Sequence, residues 1–470
     1  MTKGAKMSRL EQAARRILPV NPIAGREQSW PIQDRLIHHG CTGVAVCVIE
    51  GGEVGEARGF GVVERDGPPV AADTMFAGAS ISKPLTAVLA LQLVADGRLD
   101  LDQPVNEVLE SWKIPENAFT RSVPVTLRHL LSHRAGTTVH GFGDFPGERG
   151  PSPLDTLNGR APAMTPPVLV DKTPGGGVRY SGGGTTIVEV LIEEQRGRPF
   201  AEVASSRIFE PLGMTRTTFE QPLPDRFRPF AAVGHDGEGN PLPRRVTYTP
   251  QLAAGGIYSS ALDYARFMVE CRRAWLGMPN VLLPQPLAWA MMECQGGGQF
   301  GLGWELFGAG SSLRFAHGGS NMGYQCNATC TLESGDGAVI LTNGLMGIIL
   351  HAEVLTSLAA AYGWRGIEKT PRRVVTLDAA RQGTYVGRFR IVSGVDAPNL
   401  DIWLEDGKLY SKIEGMILPP REMFLDNRGR FFGQQTNAET EVLFGADGRA
   451  QELIVYAEGD VEILRAVRFA

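Results

Sequence analysis

The period of apolar and polar positions changes several times along this chain. Residues 42–67, TGVAVCVIEGGEVGEARGFGVVERDG, form two strand-like runs around a Gly-Gly turn, the pattern of a hairpin. Residues 83–97, KPLTAVLALQLVADG, are apolar almost all round and predict a helix buried on every side. Pro84 fits that helix only in its first turn, where no backbone donor is needed. Further helices are expected at 126–132, 185–195, 200–208, 260–273 and 348–362, and strands near 302–307, 312–316, 324–333 and 337–343. Strands at both ends with helices between them predict an α+β domain whose sheet draws on both ends of the segment.

The pattern changes again at 365–382, a polar stretch with Pro and Gly that is expected to be a linker. Beyond it come short alternating runs such as TYVGRFRI, NLDIWLEDGKLYSKI and AQELIVYAE, separated by turns like Glu405-Asp406-Gly407. They predict a small antiparallel β domain, a barrel or meander, over 383–470. The expected organisation is therefore 1–364, a linker at 365–382, and 383–470.

Composition supports this division. A chain of 470 residues exceeds one typical core. With 43% hydrophobic and 21% charged residues it is a globular composition. A net charge of −5 without a long block of one sign argues against a nucleic-acid partner or a polybasic membrane anchor. No stretch approaches the roughly 20 apolar residues of a membrane span. Near the N-terminus, Leu10, Ala13, Ala14, Ile17 and Leu18 recur at helical spacing without the continuous apolar core of an export signal. A short amphipathic helix and a cytoplasmic location are expected. The six cysteines form no C-x-x-C and are expected to be buried free thiols.

The chemistry concentrates at AGASISKPLTA, residues 77–87. Ser80 and Lys83 are three apart, a spacing that puts side chains on one helix face, about 5–6 Å apart at Cβ. Lys83 sits at the head of the most apolar helix. Poor hydration and the positive helix end both favour its neutral amine, which can act as a base for the serine hydroxyl. Ser80-Ile81-Ser82-Lys83 is the chain's one S-x-x-K. Competing motifs are missing. Gly78-Ala79-Ser80-Ile81-Ser82 lacks the last glycine of a hydrolase elbow, and there is no HExxH. His129 and His133 could share a helix face, but no third ligand supports a metal there, so a structural role is expected for both.

Taken together, ordered segments resemble the serine β-lactamase and DD-peptidase superfamily, in its class C-like branch of esterases, D-aminopeptidases and related acyl-transfer enzymes. The segments are FAGASISKPLTA, VTLRHLLSHRAGT, PGGGVRYSGGGTTIVEVLIE, IFEPLGMTRT, AAGGIYSSALDYARF, FGLGWEL and FAHGGSNMGY, and they cover roughly residues 31–362. The resemblance implies an antiparallel sheet flanked by helices plus an all-helical subdomain. The terminal β domain resembles the lipocalin-like domain appended to some members.

The resemblance also implies roles. Ser80 is the nucleophile, with Lys83 and Tyr180 as general base and acid. Lys83 is expected to be the cationic neighbour that lets the Tyr180 phenol work near neutral pH. His317-Gly318-Gly319 stands where many members have Lys-Thr-Gly. His317 is expected to contact substrate or Tyr180, Gly318 and Gly319 to let the strand approach the substrate, and the N–H groups of Ser80 and Ser320 to form the oxyanion hole. The family's Tyr-x-Asn is Tyr180-Ser181-Gly182, which is expected to remove one substrate hydrogen bond and open room. Both departures argue against an efficient β-lactamase or cell-wall peptidase. They fit an esterase or amidase acting on a small ester, amide or short peptide, with no cofactor or metal. An acyltransferase or peptide cyclase would use the same acyl-enzyme. A non-catalytic binding or sensor protein is the third reading, and it requires a missing catalytic group.

Overall fold

A computed structural model describes residues 7–394, 397–416, 418–458 and 460–469. Their contacts divide the chain into two compact units, 36–351 and a second made of the N-terminal residues to 35 with 352–470.

In the first unit, six strands form one antiparallel sheet. The hairpin β1 (Gly43–Glu50) and β2 (Glu53–Gly61) lies at one side. A second, small sheet holds β3 (Met75–Ala79), β4 (Thr217–Thr218) and β5 (Ile257–Ser260). The large sheet is completed by β6 (Glu305–Phe307), β7 (Arg314–Asn321), β8 (Tyr324–Thr331) and β9 (Gly337–Thr342). Its order, β2-β1-β9-β8-β7-β6, places the first hairpin beside the last strand, as expected for a sheet built from both ends of the segment. The apolar run of β1 is buried on both faces. Helix Ala261–Trp275 packs on β1, β2 and β9.

The apolar helix spans Ser82–Ala95, with Pro84 in its first turn. It packs against Gly182–Arg196 and the short helix Leu252–Gly255. The strand expected at 312–316 continues to Asn321. The ladder with β8 runs unbroken from Arg314↔Thr331 to Asn321↔Tyr324, so pairing overrides the poor strand propensity of the two glycines. β6 is short, and its register with β7 stops at Glu305↔Ala316, which leaves His317–Asn321 unpaired with β6.

In the second unit, strands from residues 387–468 build a nine-stranded antiparallel sheet. Its two edge strands, Arg421–Glu422 and Phe424–Leu425, are separated only by Met423, so the sheet nearly closes on itself. Inward-facing Phe389, Leu400, Leu409, Phe431, Leu453 and Leu464 fill it. The 365–382 stretch is not a free linker. Arg372 N donates to Pro22 O at 2.8 Å, Ala24 N to Arg372 O at 2.8 Å, and Val375 N to Leu425 O at 2.8 Å. The N-terminal helix Arg9–Arg15, closed by a Ser8/Glu11 capping box, belongs to this unit rather than to the 1–364 domain expected from sequence. The six cysteines are free, and Cys294 is exposed rather than buried. Among the described residues, no helix is long and apolar enough to cross a membrane.

Candidate active site

Strand β3 leads directly into Ser80, the expected nucleophile. Ala79, its last residue, has φ 47°, a left-handed conformation that costs a non-glycine residue on the order of 1–3 kcal/mol. Ser82 holds the turn. Its hydroxyl donates to Ala79 O at 2.7 Å and accepts from Ile257 N at 3.2 Å. Ser80 is thereby left partly exposed, on the wall of a cavity of about 740 Å³.

Lys83 lies one turn on, 4% exposed. Its Nζ is hydrogen-bonded to Ser80 Oγ at 2.9 Å and donates to Ala254 O at 2.7 Å. Burial lowers its pKa to about 7, against the opposing pull of Glu305. The Ala254 carbonyl is itself fixed, because Ala253 N at the head of its short helix donates to Glu189 Oε2 at 3.0 Å. Glu189 is 1% exposed, and burial pushes its carboxyl up to about 8, so it stays largely protonated at neutral pH.

Tyr180 comes from the turn before helix Gly182–Arg196. Ser181 caps that helix, accepting from Gly184 N at 2.9 Å and donating to Thr138 O at 2.7 Å. The Tyr180 ring is packed among aromatic neighbours, with centroids 4.3 Å from His133, 5.0 Å from His140 and 6.0 Å from Phe300. Lys83 Nζ lies 4.8 Å from its centroid. Burial drives the Tyr180 hydroxyl well above the ordinary phenol range, although its interaction with Ser80 opposes the rise. Burial thus moves the two groups in opposite directions relative to neutrality, Lys83 toward it and the Tyr180 phenol away from it.

His317 on β7 faces the same cavity, its ring centroid 6.2 Å from Tyr180. It is 2% exposed, and its Nδ1 lies 2.6 Å from Gly318 O. Burial, helped by Lys83, lowers its pKa to about 3. The imidazole that stands where many members carry lysine is therefore held toward its neutral form.

The glycines have separate duties. A Cβ on Gly319 would come within 2.1 Å of Gly78 O, so Gly319 lets β7 approach the backbone of β3 beside the nucleophile. A Cβ on Gly318 would meet only Cys326 O at 3.7 Å, leaving this residue open to the cavity. Gly182 does not open room. Its N–H donates to His140 O at 2.9 Å, and an added Cβ would meet the Phe142 ring at 3.0 Å, so residues 140–142 occupy that space. Ser320 lines the cavity on the part of β7 beyond its pairing with β6, and its hydroxyl accepts from Gln325 Nε2 at 2.9 Å.

Three residues at the site escaped the sequence reading. His133, expected to be structural together with His129, has φ 56° and accepts from Ser181 N through Nδ1 at 3.2 Å while it packs on Tyr180. His129 does stay structural, accepting from Thr126 N in a capping box. His140 and Glu305 both line the cavity. Burial raises the Glu305 carboxyl to about 7, with Lys83 opposing. The acidic position in FGLGWEL, inside an otherwise apolar motif, was the one sequence signal for it.

Comparison with known proteins shows the family. A family model described as Beta-lactamase matches residues 31–353, well over half of the chain. Esterase EstB of Burkholderia gladioli is 31% identical over 289 residues, 54% of this chain and 70% of that protein. Penicillin-binding protein 4 of Amycolatopsis lactamdurans is 29% identical over 332 residues, 66% of this chain and 82% of that one. The octameric penicillin-binding protein homologue from Pyrococcus abyssi has the same fold, with a TM-score of 0.63 at 21% identity over 93% of this chain and 98% of that one. D-amino acid amidase from Ochrobactrum anthropi SV3 gives 0.59 at 23% identity over 76% and 99%. The chain belongs to the β-lactamase family and is a serine hydrolase of that family.

Proposed function

We propose that this protein cleaves a small ester or amide through a covalent acyl-enzyme on Ser80, as an esterase or amidase rather than an efficient β-lactamase. The observation that carries this reading is the contact of Ser80 Oγ with a buried lysine whose pKa is about 7. At neutral pH a large share of Lys83 is a free amine, able to accept the Ser80 proton as the hydroxyl attacks the substrate carbonyl. The Tyr180 phenol donates to the leaving oxygen or nitrogen and recovers its proton from Lys83. The backbone N–H groups of Ser80 and Ser320 hold the oxyanion, an arrangement in which one donor is typically worth ~100- to 1000-fold. Water then attacks the acyl-enzyme by the same relay in reverse. The esterase and the D-amino acid amidase among its relatives are named for these two bond classes.

The test is covalent. A fluorophosphonate should label the protein once, and peptide mapping should place the adduct on Ser80. Ser80→Ala should abolish both labelling and turnover of p-nitrophenyl esters. A stoichiometric adduct on any other residue would sink the assignment.

A further inference from the structure

The cavity contains a hydrogen-bond acceptor with nothing to accept. Gly318 O can only accept, so the 2.6 Å contact puts the hydrogen of the His317 ring on Nδ1. A second proton on Nε2 would create a buried cation close to Lys83, and no carboxylate is bonded to the ring. Nε2 is therefore a bare lone pair. It is buried and without a hydrogen-bond partner among the described residues, on a ring that lines the cavity. Leaving such an atom unpaired is unfavourable, and substrate binding is the occasion to pair it.

The rest of the cavity wall points the same way. Among the described residues its one amine is Lys83, already engaged with Ser80 and Ala254, and no arginine lines it. Burial lowers the pKa of His140, and that of His351 to about 4, so neither supplies a cation at neutral pH. A substrate carboxylate would face an imidazole lone pair and the Glu305 carboxyl. A carboxamide N–H or a hydroxyl would face an acceptor that lacks a donor.

Resting on the acyl-enzyme reading above, we infer that His317 Nε2 is a specificity-determining acceptor: the site selects esters and amides that carry a neutral N–H or O–H donor near the reacting carbonyl, and it discriminates against those that carry a carboxylate there. A site built around a buried polar group rejects partners that leave the group unpaired far more strongly than an apolar pocket rejects a change of size.

Two near-isosteric substrate pairs test this. One differs on the alcohol side, O-butyrylglycolamide against O-butyrylglycolate. The other differs on the acyl side, ethyl succinamate against monoethyl succinate. Turnover is followed by pH-stat, and fluorophosphonate titration of Ser80 supplies the active fraction of each variant. In the wild type, kcat/KM should favour the carboxamide in at least one pair by ~10-fold or more. His317→Phe, which keeps a ring but has no acceptor, should level that ratio. His317→Lys should reverse it. Ratios near one in both wild-type pairs would overturn the inference, because the lone pair is then satisfied from within, for example by the Tyr180 hydroxyl. A ratio that survives His317→Phe would also overturn it and would assign the discrimination to Glu305. Failure of Ser80 to label would overturn the acyl-enzyme reading, and this inference with it. Labelling with flat ratios would overturn this inference alone.

Discussion

Each unit of the molecule holds a cation that makes no ion pair among the described residues, Lys83 and Arg421, and the two have opposite fates. Lys83 lies under Ser80 with two hydrogen bonds, and burial brings its pKa to about 7. Arg421, on an edge strand of the nearly closed sheet, is half-buried. Its Nε donates to Ser411 Oγ at 2.9 Å, Nη2 to Thr440 Oγ1 at 2.7 Å and Nη1 to Ala438 O at 3.4 Å. Ser411 is 3% exposed and Thr440 1%. Burial lowers the Arg421 pKa only to about 10, so it stays charged. One physical effect, desolvation, brings an amine close to neutrality and leaves a guanidinium charged on its three acceptors. The difference lies in the starting pKa and in the fork of donors that arginine carries.

Exchanging the two cations breaks the comparison most sharply. Lys83→Arg keeps a positive charge that cannot be shed, so Ser80 loses its base. The expected loss in kcat/KM is ~10⁴-fold, at the upper end for removal of a general base. Steady-state ester hydrolysis on protein of verified fold measures it, and a variant within a few fold of the wild type would show that Lys83 is not the base. Tyr180→Phe keeps the ring packed on His133 and removes only the hydroxyl. Its expected loss is smaller, ~10²-fold in kcat/KM, and larger for poor leaving groups such as amides than for p-nitrophenyl esters, because the latter need no proton to depart.

How much of this was legible in the sequence follows the range over which each feature is determined. The Ser80/Lys83 pair sits within one helical turn, and a buried apolar helix announces itself by its pattern, so both were accessible from local chemistry. Tyr180 and His317 were reached only through the order of several motifs. The roles of His133 and Glu305 arise from contacts between elements far apart in the chain, which no local period encodes. Strand β3, MFAGA, was missed because it is short and holds a glycine that strand patterns disfavour. The space lost at Gly182 belongs to Phe142, a residue forty positions earlier in a segment without regular secondary structure. Likewise, a polar stretch at 365–382 looks like a linker until its backbone donors find Pro22 and Leu425 as partners.

In the second unit, Arg421→Met removes the charge and leaves the acceptors of Ser411, Thr440 and Ala438 without their donor. Because no carboxylate loses a partner, the cost is limited to unpaired polar groups, about 1–3 kcal/mol. Urea or thermal unfolding should show it, with the rate of Ser80 labelling unchanged. Arg421→Lys should not restore the loss, since a lysine cannot span three acceptors and desolvation would draw it toward neutrality, as it does Lys83.

The smallest expected effect separates the two cations most finely. Burial alone moves the Arg421 pKa, whereas an acid also acts on Lys83: Glu305 raises the lysine pKa, and Lys83 lowers that of Glu305 in return. The catalytic form needs the free amine, so kcat/KM should rise with pH through an acid limb near 7. Glu305→Gln removes the negative charge that favours the ammonium. The Lys83 pKa then falls further and the limb moves to lower pH, with little change in the plateau above it. A limb that moves to higher pH would mean that a different group controls it. A lowered plateau without a shift would mean that Glu305 handles substrate or protons directly rather than tuning the lysine.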